Sequence, residues 1–420
     1  MVKLNIKNLL YFIFSFLCLV LLSNFIVFAA ETPEDLKESI NSKTENLQEI
    51  NQKILQTQKE LEETEQKGKT LQNEIKQTNY RLNQIDLSIK SSEINIDKLG
   101  LEIKSLGYDI NDIRIRSNLK KAGIGQFLKE IQKKDNESLL VIFLKNKSLA
   151  ENLSELEQLE EINSGLANEV DELQILTNEL TSKLNLTSEK KSDVEQENKN
   201  LKNKKIIASN QKVEKNNLLA QTKNQEKLYQ NLISSLEKEQ KAIADQIEEL
   251  EAELRLKIDP SLLPTPRPGV LEYPVAGARL TQGYGATAFA KYGYKGQWHN
   301  GLDFAAPLGT PMVAAEDGIV LAAWNQDEYC YRGAYGKFIA IEHNNNLTTL
   351  YTHLSLMVVN EGDQVKRGDV IGYVGNTGYS TGPHVHFGVY ASATFRIAPS
   401  KLNCGPKMPY GGDLDPGDYL

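Results

Sequence analysis

The chain has 420 residues, a formal net charge of -8, 25% charged residues and 40% hydrophobic ones. That length allows two or three domains, and the acidic balance gives a nucleic-acid role no support. Five histidines stand against 48 lysines and arginines, and all five fall in the last third of the chain.

Residues 1–29 read as a signal peptide: Lys3 and Lys7 open it, residues 9–27 are almost wholly apolar, and small side chains lead to Ala29. The other reading is an uncleaved N-terminal anchor, since about 20 apolar residues span a bilayer. Both place the rest outside the cytoplasm: secreted, periplasmic or associated with the cell wall. Cys18 follows Leu17 rather than the small residue that a lipoprotein site needs. Beyond the leader only Cys330 and Cys404 remain. An oxidising compartment permits a disulfide between them, and two independent thiols are the alternative.

A coiled-coil region is expected over residues 32–257. One heptad frame runs from Leu36 to Ile113. Its a positions are Ile40, Leu47, Ile54, Leu61, Gly68, Ile75, Leu82, Ile89, Ile96, Ile103 and Ile110. The d positions are mixed: Leu36, Ile50, Leu71, Ile85, Leu99, Leu106 and Ile113 are apolar, whereas Lys43, Thr57, Thr64, Thr78 and Ser92 are not. Such a helix is ~120 Å long at the α-helical rise. A second seam runs from Leu166 through Leu173, Leu180 and Leu201, and resumes at Leu218, Tyr229, Leu236, Ile243 and Leu250. Two long helices in one chain most simply fold back as an antiparallel hairpin. Parallel dimers of each helix are the alternative, and the sequence does not give the oligomeric state.

The turn-around near residues 120–150 is more apolar than a helical reversal needs. It carries Phe127, Leu128 and Ile131, then the run 139–144. A small self-buried cap is one reading; a tip that docks on a membrane division complex is the other. Asp259-Pro260 stops the helix, and residues 258–270 form a Pro-rich linker. From Leu271 the composition turns to Gly, Tyr and β-branched residues. Strand-like pieces fall at 311–315, 318–323, 337–342, 347–353, 370–374 and 384–390. The expectation is a compact β-rich domain over 271–405 with a tail at 406–420, hence an α+β multidomain chain.

The histidines define the chemistry. His299 and Asp303 sit four apart, and His384 and His386 project to one face of a strand. Imidazole beside carboxylate suits zinc, and three protein ligands with an open fourth position describe a catalytic zinc site.

The stretches His299-Asn-Gly-Leu-Asp303, Tyr351-Thr-His-Leu-Ser355 and Gly382-Pro-His-Val-His386 come in one order with Gly283-Tyr-Gly285, Gly362 to Gly368 and Gly375-Asn-Thr-Gly378. In these motifs residues 273–400 resemble the lysostaphin/LytM-type zinc endopeptidases, which cut peptide cross-links of the bacterial cell wall. The whole architecture resembles murein hydrolases and murein hydrolase activators of the divisome. The resemblance implies one Zn2+ per chain held by His299, Asp303 and His386, with His353 and His384 facing the scissile bond as catalytic residues. It gives His343 no such role, and we read His343 as a structural residue at a strand end. Asp317, Glu342 and Asp363 read as solvated loop carboxylates. Tyr292, Tyr294 and Trp298 are candidates for a groove edge. The segment 325–335, with Cys330, is longer than the family's usual loop. The resemblance thus implies a zinc metallo-endopeptidase acting on peptidoglycan, in wall remodelling or daughter-cell separation. The competing expectation is a non-catalytic activator or adaptor of another wall hydrolase; such activators lack several zinc ligands, whereas every ligand position is filled here.

Overall fold

A computed structural model describes residues 32–65, 69–134, 149–223, 225–288, 290 and 297–420. The leader, the run 139–144, Tyr292 and Tyr294 lie outside the described residues. Four long helices precede the β-rich part: α1 (Pro33–Glu65), α2 (Leu71–Lys134), α3 (Leu149–Thr222) and α4 (Glu226–Arg255). None of the described helices is long and apolar enough to cross a membrane.

The d positions carry the deepest burial. Leu36, Ile50, Leu71, Ile85, Leu99, Leu106 and Ile113 are all buried, and so are the polar d residues Thr57, Thr78 and Ser92. Thr57 and Thr78 donate to the carbonyls of Lys53 and Glu74 one turn back, and Ser92 Oγ accepts from Lys204 Nζ at 2.7 Å. These three buried hydroxyls in the seam are thus hydrogen-bonded, as buried hydroxyls must be.

The chain divides into two compact units. The first holds residues 1–43 and 98–191. In it α2 and α3 run antiparallel: Lys183 pairs with Asp109 and Lys190 with Glu102, so one number rises as the other falls. Phe127, expected at an apolar tip, seats its ring against Gly165, where an added Cβ would lie 2.9 Å from it.

The second unit holds residues 44–97 and 192–420. The same antiparallel register appears there, with Lys205 on Glu93 and Lys215 on Asn79. Its β strands are β1 (Arg279–Gln282), β2 (Leu302–Ala305), β3 (Pro311–Val313), β4 (Gly318–Asn325), β5 (Lys337–His343), β6 (Leu347–Tyr351), β7 (Leu354–Met357), β8 (Gln364–Val365), β9 (Val370–Val374), β10 (His384–Ala391), β11 (Arg396–Ala398), β12 (Met408–Tyr410) and β13 (Asp413–Leu414). The main sheet is ordered β1-β2-β10-β6-β5-β4-β8, with β13 also on β10; β3-β9-β7 form a second sheet and β11-β12 a third. Residues 406–420, read above as a tail, fold into the domain: β13 pairs with β10, and Met408, Tyr410 and Tyr419 are buried.

The α4 helix ends at Arg255, and Asp259 caps a short turn at Pro260–Leu262. Its buried residues include Ile243, Ile247 and Leu254 at helical spacing. They do not complete a coiled-coil seam. They pack with Tyr335, Phe338, Leu350, Tyr390, Met408 and Tyr410 of the β domain.

Candidate metal centre

The strands β2 and β10 are antiparallel neighbours, and their register sets Asp303 opposite His386. Directly opposed residues have Cβ atoms ~5 Å apart, so these two side chains meet on one face. His384 lies two residues back on the same face. His299 enters from the turn before β2. Its backbone exchanges hydrogen bonds with Gly285 at 2.8 and 3.0 Å, and Gly285 holds the left-handed φ of +84° that suits glycine.

The result is a tight triangle. His299 Nε2 lies 2.9 Å from His386 Nδ1 and 3.2 Å from Asp303 Oδ1, and His386 Nδ1 lies 3.0 Å from the same oxygen. Among the described residues these three form the cluster able to hold a metal ion. Tetrahedral zinc, with bonds of ~2.0–2.1 Å, needs ligand atoms roughly 3.3 Å apart. The chemistry of the donors also fits: two imidazole nitrogens and one carboxylate oxygen. His299 Nδ1–H donates to the Gly283 carbonyl at 2.7 Å, which leaves the Nε2 lone pair aimed at the cluster.

Burial opposes a charge on Asp303, but hydrogen bonds from His299 and His386 prevail and hold its carboxyl well below the usual range. Burial likewise opposes a proton on His299; its bond to Asp303 outweighs that and raises its pKa. His386 is pushed down, by burial first and against the pull of Asp303. A carboxylate that stays ionised is the state a cation requires.

His353 and His384 flank the triangle. Their ring centroids are 4.6 Å apart, and His384 Nε2 lies 3.8 Å from Asp303 Oδ1. His353 was expected at a strand end. It sits instead between β6 and β7 with φ +61°, an uncommon and strained setting for a non-glycine residue. Its backbone N–H donates to Tyr335 O and its Nδ1–H to Thr377 O at 2.8 Å. His384 Nδ1–H donates to Gly382 O at 2.9 Å, with Ser380 Oγ at 3.1 Å. In both rings a carbonyl holds the proton on Nδ1 and leaves Nε2 bare. Burial, followed by the neighbouring His384 and His386, drives the pKa of His353 well below its ordinary value.

His343 stands apart from the cluster. Its Nδ1 faces Asp317 O and its Nε2 faces Thr349 Oγ1, a satisfied structural histidine. Asp317 Oδ1 accepts from Arg367 N, and Asp363 Oδ2 accepts from Asn360 N; Glu342 is exposed. The second partner of His299 is therefore a carbonyl rather than one of these carboxylates. Cys330 and Cys404 form a disulfide, with Cα atoms 4.9 Å apart. It ties the extended loop 325–335 to the segment before β12.

Several residues at the site went unmarked in the sequence. Tyr335 stacks on His386 at 6.1 Å, and its backbone carbonyl holds His353. Asp413 of β13 accepts from Tyr284 Oη at 2.7 Å and Trp298 Nε1 at 3.0 Å, and so braces the turn that delivers His299. Arg255 of α4 pairs with Asp413 at 2.5 Å. The largest omission is α4 itself. Gln240, Ile243, Ile247 and Glu251 line a cavity of about 90 Å³ together with His299, Asn300, Tyr335, His353 and His386. Gln240 Oε1 accepts from Ala334 N–H at 2.9 Å, and Glu251 Oε2 accepts from Asn300 Nδ2 at 2.7 Å. The helix thus lies over the mouth of the metal-ligand cluster. Heptad spacing marks an apolar face but not its partner, so this contact was not legible beforehand.

Residues 297–398 match the family described as peptidase family M23. The chain is similar to peptidoglycan DD-endopeptidase ShyA of Vibrio cholerae, at 46% identity over 89 residues, which are 21% of this chain and 19% of that protein. It is similar to the same extent to DD-carboxypeptidase/endopeptidase Mpg of Neisseria meningitidis, again 46% over 21% of this chain and 19% of the other. Among solved structures, the catalytic domain of lysostaphin from Staphylococcus simulans aligns at 31% identity over 33% of this chain and 89% of that one, with a TM-score of 0.26. The chain spans less than a third of the length of these curated relatives.

Proposed function

We propose, on the match of residues 297–398 to peptidase family M23, that this chain is a zinc-dependent endopeptidase that cuts peptide cross-links of bacterial peptidoglycan outside the cytoplasm. The observation that carries the reading is the ligand triangle, flanked by His353 and His384, each with its Nδ1 at a backbone carbonyl. His299, Asp303 and His386 would hold the ion. Zinc held there would supply a Lewis acid able to polarise a peptide carbonyl and to lower the pKa of water toward ~7. The protein's own groups do the rest. The Nε2 of His353 or His384 accepts the proton of the attacking water and returns one to the leaving amine. The other imidazole, once protonated, stabilises negative charge on the carbonyl oxygen. Tyr335 and the carbonyls of Gly283, Thr377 and Gly382 fix the rings so that little reorganisation is left for the reaction itself.

With α4 across the mouth, the described conformation is the latent form of the enzyme, and the coiled coil is the element that holds it in check. Release of α4 would accompany engagement of the helical arm by a membrane division complex, in wall remodelling or daughter-cell separation. The test is metal content and muropeptide release from sacculi by the full chain opened at α4 with Ile243→Ala, with and without Asp303→Asn. Zinc near one per chain and release in the first, with both lost in the second, supports the reading. Stoichiometric zinc with no release, even from a form opened at α4, favours the adaptor role instead.

A further inference from the structure

Two hydrogen-bond donors of the β domain point into the cavity and are satisfied by α4 alone or chiefly by α4. Ala334 N–H has Gln240 Oε1 as its acceptor. The backbone at Ala334 has φ +46°, and that at Arg332 φ +53°, a conformation fixed by Tyr379 N–H on Ala334 O and by the disulfide at Cys330. Asn300 Nδ2 sits 2.7 Å from Glu251 Oε2, and 3.1 and 3.2 Å from the hydroxyls of Tyr335 and Tyr390. Asn300 directly follows the ligand His299, and Tyr335 stacks on the ligand His386. Both donors therefore border the metal triangle.

The acceptors are unusual for a helix face. Gln240 and Glu251 are 5% and 1% exposed, in a stripe otherwise made of Ile243, Ile247 and Leu254. Glu251 Oε1 is buried with no hydrogen-bond partner, and burial and Asp413 raise the Glu251 pKa well above the carboxylate range. Burying a carboxyl in that state costs stability. It contributes nothing to packing that a leucine would not. What it does supply is an oxygen at Asn300.

We propose that Gln240 and Glu251 stand in for two carbonyl oxygens of the wall peptide, and that Asn300 and the Ala334 N–H are the donors that position that peptide across the metal-ligand cluster once α4 leaves. The inference rests on the endopeptidase reading above. When α4 leaves, water takes its place at the Ala334 N–H and beside Asn300, which keeps the Tyr335 and Tyr390 hydroxyls, and a peptide carbonyl can replace that water at both donors. Helix and substrate then compete for the same two donors, so the resting enzyme is held off by a mimic of what it cuts.

The experiment uses the full chain and muropeptide dimers as probe. Glu251→Ala should raise turnover at least tenfold, whereas Glu251→Gln, which keeps an oxygen at Asn300, should leave it within twofold; equal effects of the two overturn the mimicry. In a chain opened by Gln240→Ala with Glu251→Ala, adding Asn300→Ala should raise KM at least tenfold with kcat within threefold and zinc content intact. Unchanged KM overturns the assignment, and so does a fall in kcat accompanied by loss of zinc, which marks a merely structural role beside His299. Absence of turnover in every form removes the endopeptidase reading but not the inference. Equilibrium binding of the dimers to the opened chain with and without Asn300→Ala then decides it: tenfold weaker binding supports it, and equal binding overturns it.

Discussion

Ile243→Ala should switch the full-length protein on. Ile243 is 1% exposed and packs in one cluster with Tyr335, Phe338 and Tyr390 of the β domain. The substitution removes three carbons, worth ~0.8 kcal/mol each by transfer, or ~2.4 kcal/mol in all, and the residual cavity takes the cost toward 3–4 kcal/mol. Where α4 has lifted away, the side chain is in water, so that cost falls on the closed form alone. Each 1.4 kcal/mol is a factor of ten, so the open population rises at least ~50-fold. Turnover of dye-labelled sacculi by the full chain should follow until the open form dominates. Zinc content and thermal unfolding serve as controls. Unchanged or reduced turnover, with zinc and the melting of the β domain intact, would refute the idea that α4 gates the site.

The other predictions concern the site and its support. His353→Ala and His384→Ala should each retain zinc by metal analysis yet lower kcat at least ~100-fold, the usual scale of general acid–base work; loss of zinc would instead make them ligands. Gly301→Ala should weaken zinc binding in a chelator competition, because its Cβ would lie 2.5 Å from Phe387 O and 2.7 Å from His386 Cε1; unchanged affinity would show that β10 gives way freely. Asp327 accepts N–H bonds from Gly378 and Arg332 but is pushed up to about 6, by burial first. The folded state then holds its proton more tightly than the unfolded one. Stability should therefore fall as pH rises from about 4 to about 6, by no more than ~3 kcal/mol, and stay level above that. Urea unfolding of Asp327→Asn should lack this slope; a slope equal to that of the parent would assign it to another group.

The strands from 311 to 390 and the paired helices were legible because their burial is local: β5 and β10 are nearly continuous buried runs rich in apolar and β-branched residues, and the helices bury every third or fourth residue. His384 and His386 share a face because they lie two apart on one strand, whereas Asp303 joined them only through the family resemblance, since its strand β2 lay outside the strand-like pieces and its register with β10 is a long-range contact. Other features depended on contacts that no local period encodes. The left-handed backbone at His353 is imposed by carbonyls on two separate loops. The bracing by Asp413 comes from residues that looked like a tail. The seat of α4 looked like half of a coiled coil, because a stripe of Ile and Leu is equally suited to a helix or to a sheet with Phe338 and Tyr390 on its face.

The Cys330–Cys404 bridge matters for anyone handling this protein. It anchors the stretch that carries Arg332, Ala334 and Tyr335, one flank of the cleft. Arg332 in turn contacts Glu74 of α2. Material made in a reducing cytosol would have that flank tethered only by non-covalent bonds, so preparations from the two compartments should be treated as different samples until their thiol content has been measured.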